Sequence, residues 1–245
     1  MSMGRKVIAL TGKDRVDFLQ DMVTNDVTQP GALVYAALLT PQGKYLADFF
    51  VSHRADAMLI DVADDLAEGL MQRLSMYRLR RDVGLEMTDL VVSRGTGAAP
   101  EGALADPRHP DLGWRMIGDT DASDATDWDA LRVALVVPQS GIELQPNDSY
   151  PLEFGLDRLN GIDFRKGCYV GQEVTARMKH KTQLKKGLVQ VAVTGAAEPG
   201  TEITAAGKPA GTLFTQSGER ALAWLRFDRA GAGMQAGDAV VAYDG

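Results

Sequence analysis

One short stretch concentrates the reactive residue types: Arg165-Lys166-Gly167-Cys168-Tyr169-Val170-Gly171-Gln172-Glu173-Val174-Thr175-Ala176-Arg177. A helix is predicted to begin near Gly171. Glu173 falls in its first turn and Arg177, Lys179 and Lys181 toward its end, the charge order that a helix dipole favours. Cys168 then stands just ahead of a helix N-terminus and two residues after a lysine. Both features stabilise a thiolate, so a reactive thiol would be placed here. The two glycines let the backbone turn sharply and approach a ligand closely. Residue types alone leave a second reading open, because a lone cysteine is commonly a small buried hydrophobe. No histidine is close in sequence to act as its base.

The charge around this stretch is unusual for the chain. Arg165–Lys186 carries seven cations and one acid, Glu173, a window of +6 in a 245-residue chain of net charge −7. Such a window reads either as a solvated basic face or as an anion site made selective by its acidic background. Several function classes are excluded. One cysteine cannot build a disulfide framework, a self-contained iron–sulfur site or a cysteine zinc site. His53, His109 and His180 have no i, i+4 pairing, so no metal site is expected. Gly95–Pro100 has proline where a dinucleotide loop needs its third glycine, and Gly231–Met234 lacks a strand–helix context, so neither is expected to bind a nucleotide. No apolar run reaches the roughly 20 residues that span a bilayer. The apolar part of the N-terminal stretch is too short for a signal peptide, which leads to an expected cytoplasmic location. The acidic balance argues against a general nucleic-acid coat, and direct tRNA binding is not expected.

The elements that must position these residues follow from periodicity. Val7–Leu10 is predicted as a strand and the apolar spacing of Val16, Leu19 and Val23 as a helix. Leu33–Thr40 and Tyr45–Ser52 form a hairpin across Pro41-Gln42-Gly43-Lys44, with proline second and glycine fourth in a type I turn. Met58–Val62 is a strand, Asp64–Tyr77 a helix with a basic end, and Val83–Asp89 and Leu90–Ser93 strands. Gly95–Pro110 reads as a loop, Gly118–Asp127 as a mobile acidic insertion, and Trp128–Val136 as a helix. After Gly187 only short strands separated by glycine-rich turns remain: Leu188–Val193, Glu202–Ala205, Pro209–Phe214, Arg220–Phe227 and Ala239–Tyr243, the signature of a small all-β barrel or sandwich. The expected fold class is α+β, with residues 1–184 as one region, an internal boundary near 90–115, and residues 185–245 as a β-domain.

The octet Lys166-Gly167-Cys168-Tyr169-Val170-Gly171-Gln172-Glu173 resembles the signature of the YgfZ family, folate-binding iron–sulfur cluster assembly proteins related to the aminomethyltransferase (T-protein) of glycine cleavage. Weaker resemblances cover nearly the whole chain: Val16–Gln20 through Thr24–Val27, Pro41–Lys44 through Asp48, Asp106–Arg108 with Leu112–Arg115, Pro151–Glu153, and Gly207-Lys208 with Gly211 and Ala221–Ala223. The resemblance implies two α+β subdomains and a C-terminal antiparallel barrel around a central channel holding tetrahydrofolate or a one-carbon derivative. Asp48 and Glu153 are then expected to pair the pterin's amino-pyrimidine edge, as a carboxylate accepts two parallel N–H bonds. Gln172, Glu173 and Arg177 would join the folate site. Cations from Arg177 to Lys186, or the Arg78–Arg81 group, would suit the glutamyl tail. Cys168, kept partly ionised by Lys166, would be the reacting group. The T-protein pattern has two adjacent aspartates where this chain has Ala47-Asp48, and T-proteins lack the cysteine octet, which points away from aminomethyl transfer.

The function so implied is that of a monomeric, folate-binding accessory factor, with partners among iron–sulfur client or assembly proteins. Clients would include 4Fe–4S and radical-SAM enzymes that modify tRNA. A folate-dependent one-carbon transferase and a tRNA-binding modification factor are the alternatives, and whether the chain is an enzyme stays open.

Overall fold

Tyr35–Leu39 and Tyr45–Val51 are apolar almost without interruption, the pattern of strands covered on both faces. They form a hairpin at one edge of a five-stranded antiparallel sheet in the computed structural model, which describes residues 4–181 and 183–245. In chain order the elements are β1 (Arg5–Thr11), α1 (Arg15–Gln20), β2 (Val34–Leu39), β3 (Tyr45–His53), β4 (Met58–Ala63), α2 (Asp64–Tyr77), β5 (Gly84–Thr88), β6 (Val91–Gly95), β7 (Leu104–Ala105), β8 (Trp114–Gly118), α3 (Trp128–Leu135), α4 (Gln172–Lys181), β9 (Lys186–Thr194), β10 (Glu202–Ala205), β11 (Lys208–Ser217), β12 (Arg220–Arg226), β13 (Met234–Ala236) and β14 (Ala239–Ala242). The chain divides into two units, Met1–Thr126 with Asp157–Val174, and Asp127–Leu156 with Thr175–Gly245.

In the first unit the sheet order is β2-β3-β4-β1-β5, and β6-β8-β7 form a second sheet. Alternation decides what each face does. Ile8, Ala36, Leu38, Phe49, Val51, Ile60 and Val62 turn to one side and meet Phe18 and Leu19 of α1 and Leu70 and Leu74 of α2 in one apolar core. Each such side chain contributes on the order of 1.5–3 kcal/mol by leaving water. The intervening residues, Tyr35, Asp48, Phe50 and Asp61, form the other face and are equally buried. The register sets Phe50 opposite both Tyr35 and Asp61.

The second unit is a closed barrel of order β10-β11-β12-β9-β14-β13, with α3 against β11. Closure leaves no unpaired strand edge. Its interior is filled at period two by Val191, Val193, Leu213, Ala221, Ala223 and Leu225. The α+β class with a C-terminal antiparallel barrel is thus the observed one. α3 is fixed to the barrel by a buried network: Arg132 donates to Glu143 (3.1 Å) and to the Thr215 hydroxyl (2.9 Å), and that hydroxyl donates to Glu143 (2.6 Å).

Three local expectations need correction. α1 stops at Gln20 instead of running to Val23, for a reason given below. β7, β8 and β13 appear where the sequence gives weak signals, because glycine and proline flank very short strands. The Gly118–Asp127 segment is irregular but not loose. Asp124 accepts N–H bonds from Thr96 (2.8 Å) and Gly97 (3.0 Å), and Ala122 N–H donates to Ser93 (2.8 Å). The Thr126 hydroxyl above all, with the N–H groups of Gly97 and Thr96, holds the Asp124 carboxyl down to about 2. The same contacts also fill the amide nest of the glycine-rich loop with the chain's own carboxylate.

Candidate functional site

The early end of α1 is explained by a lysine that arrives more than a hundred residues later. Lys166 Nζ donates to the carbonyl oxygens of Gln20 (2.6 Å), Val23 (2.5 Å) and Asn25 (3.0 Å). Carbonyls at a helix end lack intrahelical partners, and one ammonium satisfies them here. Thr24, fully buried, donates to Gly161 O (2.6 Å) and accepts from Ala37 N–H (2.9 Å). Asn25 donates to Tyr35 O (2.8 Å) and Asn160 O (2.7 Å). The Thr24-Asn25 pair therefore rivets the segment leading to Lys166 onto β2. Burial pulls the Lys166 ammonium down to about 8, against the attraction of Asp26, Asp21 and Asp163. Lys166 commits all three N–H bonds to backbone, so its part in the site is to anchor the loop that carries Cys168.

Past Lys166 the chain closes on itself. Tyr169 is buried, with the Lys166 ammonium 5.4 Å from its ring centre. The Gln172 amide donates to Gly167 O (3.4 Å). Gly171 (φ +85°) and Gly43 (φ +75°) bring this loop and the β2–β3 turn together at backbone distance. A Cβ on Gly171 would stand 2.6 Å from Thr40 O, and one on Gly43 2.8 Å from Val174 Cβ. Cys168 sits exposed on this braced loop, ahead of α4. The buried-hydrophobe reading of the cysteine is thereby removed. Gly171→Ala is expected to destabilise the protein by about 1–3 kcal/mol, combining a left-handed backbone with a clash. A melting temperature lowered by several degrees, together with faster alkylation of Cys168, would be the signature; unchanged values of both would contradict the bracing.

Asp48 lies on the polar face of β3. Its Oδ1 accepts from Tyr45 Oη (2.6 Å) and its Oδ2 from Tyr35 Oη (2.9 Å). Burial, followed by the charge of Asp48, raises the Tyr35 phenol well above its ordinary value, so Tyr35 stays a donor. Arg108 lies over the rings of Tyr35 (5.5 Å) and Phe50 (4.8 Å), and Arg115 over Phe50 (4.0 Å). Asp61, one strand away, accepts from Arg5 (2.5 Å) and twice from Arg115 (3.2 and 2.7 Å). Asp106 takes both oxygens to Arg108 (3.0 and 2.8 Å). Burial alone would raise both aspartates; the guanidinium groups reverse it and hold them below the usual carboxylate range. Burial, together with repulsion from Arg115 and Arg5, brings Arg94 down to about 9.

This ion network was not singled out from the sequence. Its signal was present: Asp48 and Asp61 are charges set inside apolar runs, and a buried charge must be paired.

Glu153 belongs to the second unit. Its Oε2 accepts from Trp224 Nε1 (3.0 Å), and the Lys186 ammonium lies 4.8 Å from the Trp224 ring centre. Burial raises its carboxyl above the ordinary value, opposed by the Trp224 bond and Lys186. Oε1 accepts no hydrogen bond among the described residues, so half of this carboxylate is available to a donor pair. Glu153 thus retains acceptor capacity of the kind an amino-pyrimidine edge requires. Gln172 is half-buried, while Glu173 and Arg177 are exposed on α4. Among the described residues, no three His, Cys, Asp or Glu side chains gather as a metal site, and no helix is long and apolar enough to cross a membrane.

Residues 185–244 match the model of the CAF17 C-terminal beta-barrel domain. The mouse protein named iron-sulfur cluster assembly factor IBA57, mitochondrial, is 30% identical over 91% of this chain and 76% of its own length. The chain belongs to the IBA57 family of iron–sulfur cluster assembly factors. The human IBA57 matches alike, at 30% over 91% of this chain and 75% of the relative. A Mycosarcoma maydis IBA57 homolog is 32% identical over 80% of this chain, which spans only 57% of that relative's length. The glycine cleavage aminomethyltransferase T of Bartonella henselae superposes with a TM-score of 0.76 at 13% identity, covering 97% of this chain and 81% of the other. That likeness establishes the fold alone.

These IBA57 relatives are named as mitochondrial proteins, which overturns the expected cytoplasmic location. The expectation rested on the apolar length of one short stretch, which bears on secretion and not on the choice of organelle. Iron–sulfur assembly, read from the octet, is the part of the sequence resemblance that the IBA57 family carries.

Proposed function

We propose that this protein serves iron–sulfur cluster assembly by offering Cys168 as one thiolate ligand to a cluster shared with a partner protein, while holding tetrahydrofolate or a one-carbon derivative. The observation that carries this reading is an exposed cysteine on a braced loop in a chain of the IBA57 family. One thiolate cannot hold a cluster alone, since about four ligands are needed. The cluster is therefore cargo, completed by ligands from the assembly partner or the client. Clients are 4Fe–4S enzymes, radical-SAM enzymes that modify tRNA among them.

Glu153 would hold the amino-pyrimidine edge of the folate. Bound folate would supply a reduced pterin, with or without a one-carbon unit. Trp224 keeps one Glu153 oxygen fixed. Arg177 would face the glutamyl tail as an exposed cation.

Calorimetric titration with tetrahydrofolate tests the folate half. Binding to the wild type, weakened at least tenfold in Glu153→Gln, is the expected result. No heat of binding would remove folate from the proposal and leave the thiol untouched, and equal affinity in Glu153→Gln would remove Glu153 from the folate site.

A further inference from the structure

α2 buries Ala67, Leu70 and Leu74, and its last turn runs out of the core. From Ser75 to Asp82 every residue is exposed. Five large apolar side chains are exposed among the described residues, and three of them fall here: Met76 (59%), Tyr77 (47%) and Leu79 (85%). Leu79 also takes a left-handed backbone, φ +49°, a conformation unfavourable for a side chain of this size.

Residues 73–82 carry Arg73, Arg78, Arg80 and Arg81 and no acid before Asp82, in a chain of net charge −7. Arg81 pairs with Asp21 (2.6 Å) and Arg78 donates to Val83 O (3.1 Å). Arg73 and Arg80 make no such contact among the described residues. An apolar tip ringed by cations has two requirements, apolar burial and negative charge.

We propose that the Met76-Tyr77-Leu79 tip, with Arg73, Arg78, Arg80 and Arg81 around it, is a docking site for an acidic amphipathic segment of a partner protein. The chemistry selects this occupant. Two aliphatic side chains and a single aromatic favour an apolar protein face over stacked bases. The acidic remainder of the chain would be repelled from an anionic lipid surface. Leu79 supplies the anchor, and the arginines set orientation and encounter rate.

The test uses the full chain and a synthetic 16-residue helical peptide with glutamates on one face and leucines on the other. Binding is read by fluorescence anisotropy at low and high salt. The expected result is binding that weakens with salt and drops at least tenfold in both Leu79→Ser and Arg80→Glu, whose melting temperatures match the wild type because both positions are exposed. Four outcomes overturn the proposal. They are no binding, equal binding of a peptide with lysine in place of glutamate, variants that bind like the wild type, and displacement of the peptide by free pentaglutamate, which would make the tip a site for charge alone. Two controls complete it. Preference for phosphatidylserine vesicles over the peptide would reassign the tip to lipid, and concentration-dependent dimerisation lost in Leu79→Ser would reassign it to a second copy.

Discussion

Replacing Asp61 by alanine is expected to destabilise the protein by about 3–5 kcal/mol, the usual consequence of leaving a buried charge without its partner. Asp61 is 1% exposed and is the shared counter-ion of Arg5 and Arg115. Without it the one carboxylate left to Arg115, 4% exposed, is Asp106 at 3.7 Å, beside the Phe50 ring at 4.0 Å. Arg94 and Arg108 add positive charge to the same interior, so the loss is felt across the face. Urea unfolding followed by circular dichroism measures the effect, and a change below about 1 kcal/mol would refute the network's importance. Adding Arg115→Met to Asp61→Ala should restore part of the loss, because the orphaned cation is then removed.

The pH dependence follows from the same groups. The folded pKa values of Asp61 and Asp106 lie below their ordinary 3.8. In the acid range the unfolded chain therefore binds more protons than the folded one, and stability falls as pH falls. The contribution is complete above about pH 5 and declines through and below the ordinary value. Asp61→Ala should flatten this acid limb relative to the wild type.

The second large effect is functional. Cys168→Ala should reduce 4Fe–4S enzyme activity, in cells lacking their own copy of the protein, to the level of the uncomplemented strain. An exposed side chain with no apolar contact to lose should change stability by no more than about 0.5 kcal/mol. A melting temperature equal to that of the wild type therefore separates lost chemistry from lost fold. Full restoration of the enzymes by Cys168→Ala would exclude the thiol from the work.

Regular elements were readable because they are local. Asp64–Tyr77 follows from the spacing of Leu66, Leu70 and Leu74, and the β2–β3 hairpin from proline and glycine in its turn. The octet was legible because cysteine, lysine and glycine at those spacings are rare together. What escaped the sequence depends on partners distant in the chain. Lys166 looked like a neighbour for the sulfur, but it satisfies helix-end carbonyls 141 to 146 residues away. Thr24-Asn25 looked like a helix stop, but it is a fastening point for the returning segment. The arginines at 108 and 115 had no visible role until β3 and β4 placed Phe50 and Asp61 beneath them. Periodicity carries no information about such pairings.

The fastening of Lys166 to Val23, 143 residues apart, has a consequence for synthesis. Translation at roughly 5–20 residues per second leaves an interval on the order of ten to thirty seconds between the emergence of these two partners. During that interval the nascent first unit lacks the strap that closes α1, and the intervening residues 127–156 of the other unit leave the ribosome first. The Cys168 sulfur thus takes up its braced position only late in the birth of the chain, after most of the surrounding sheet has had time to form.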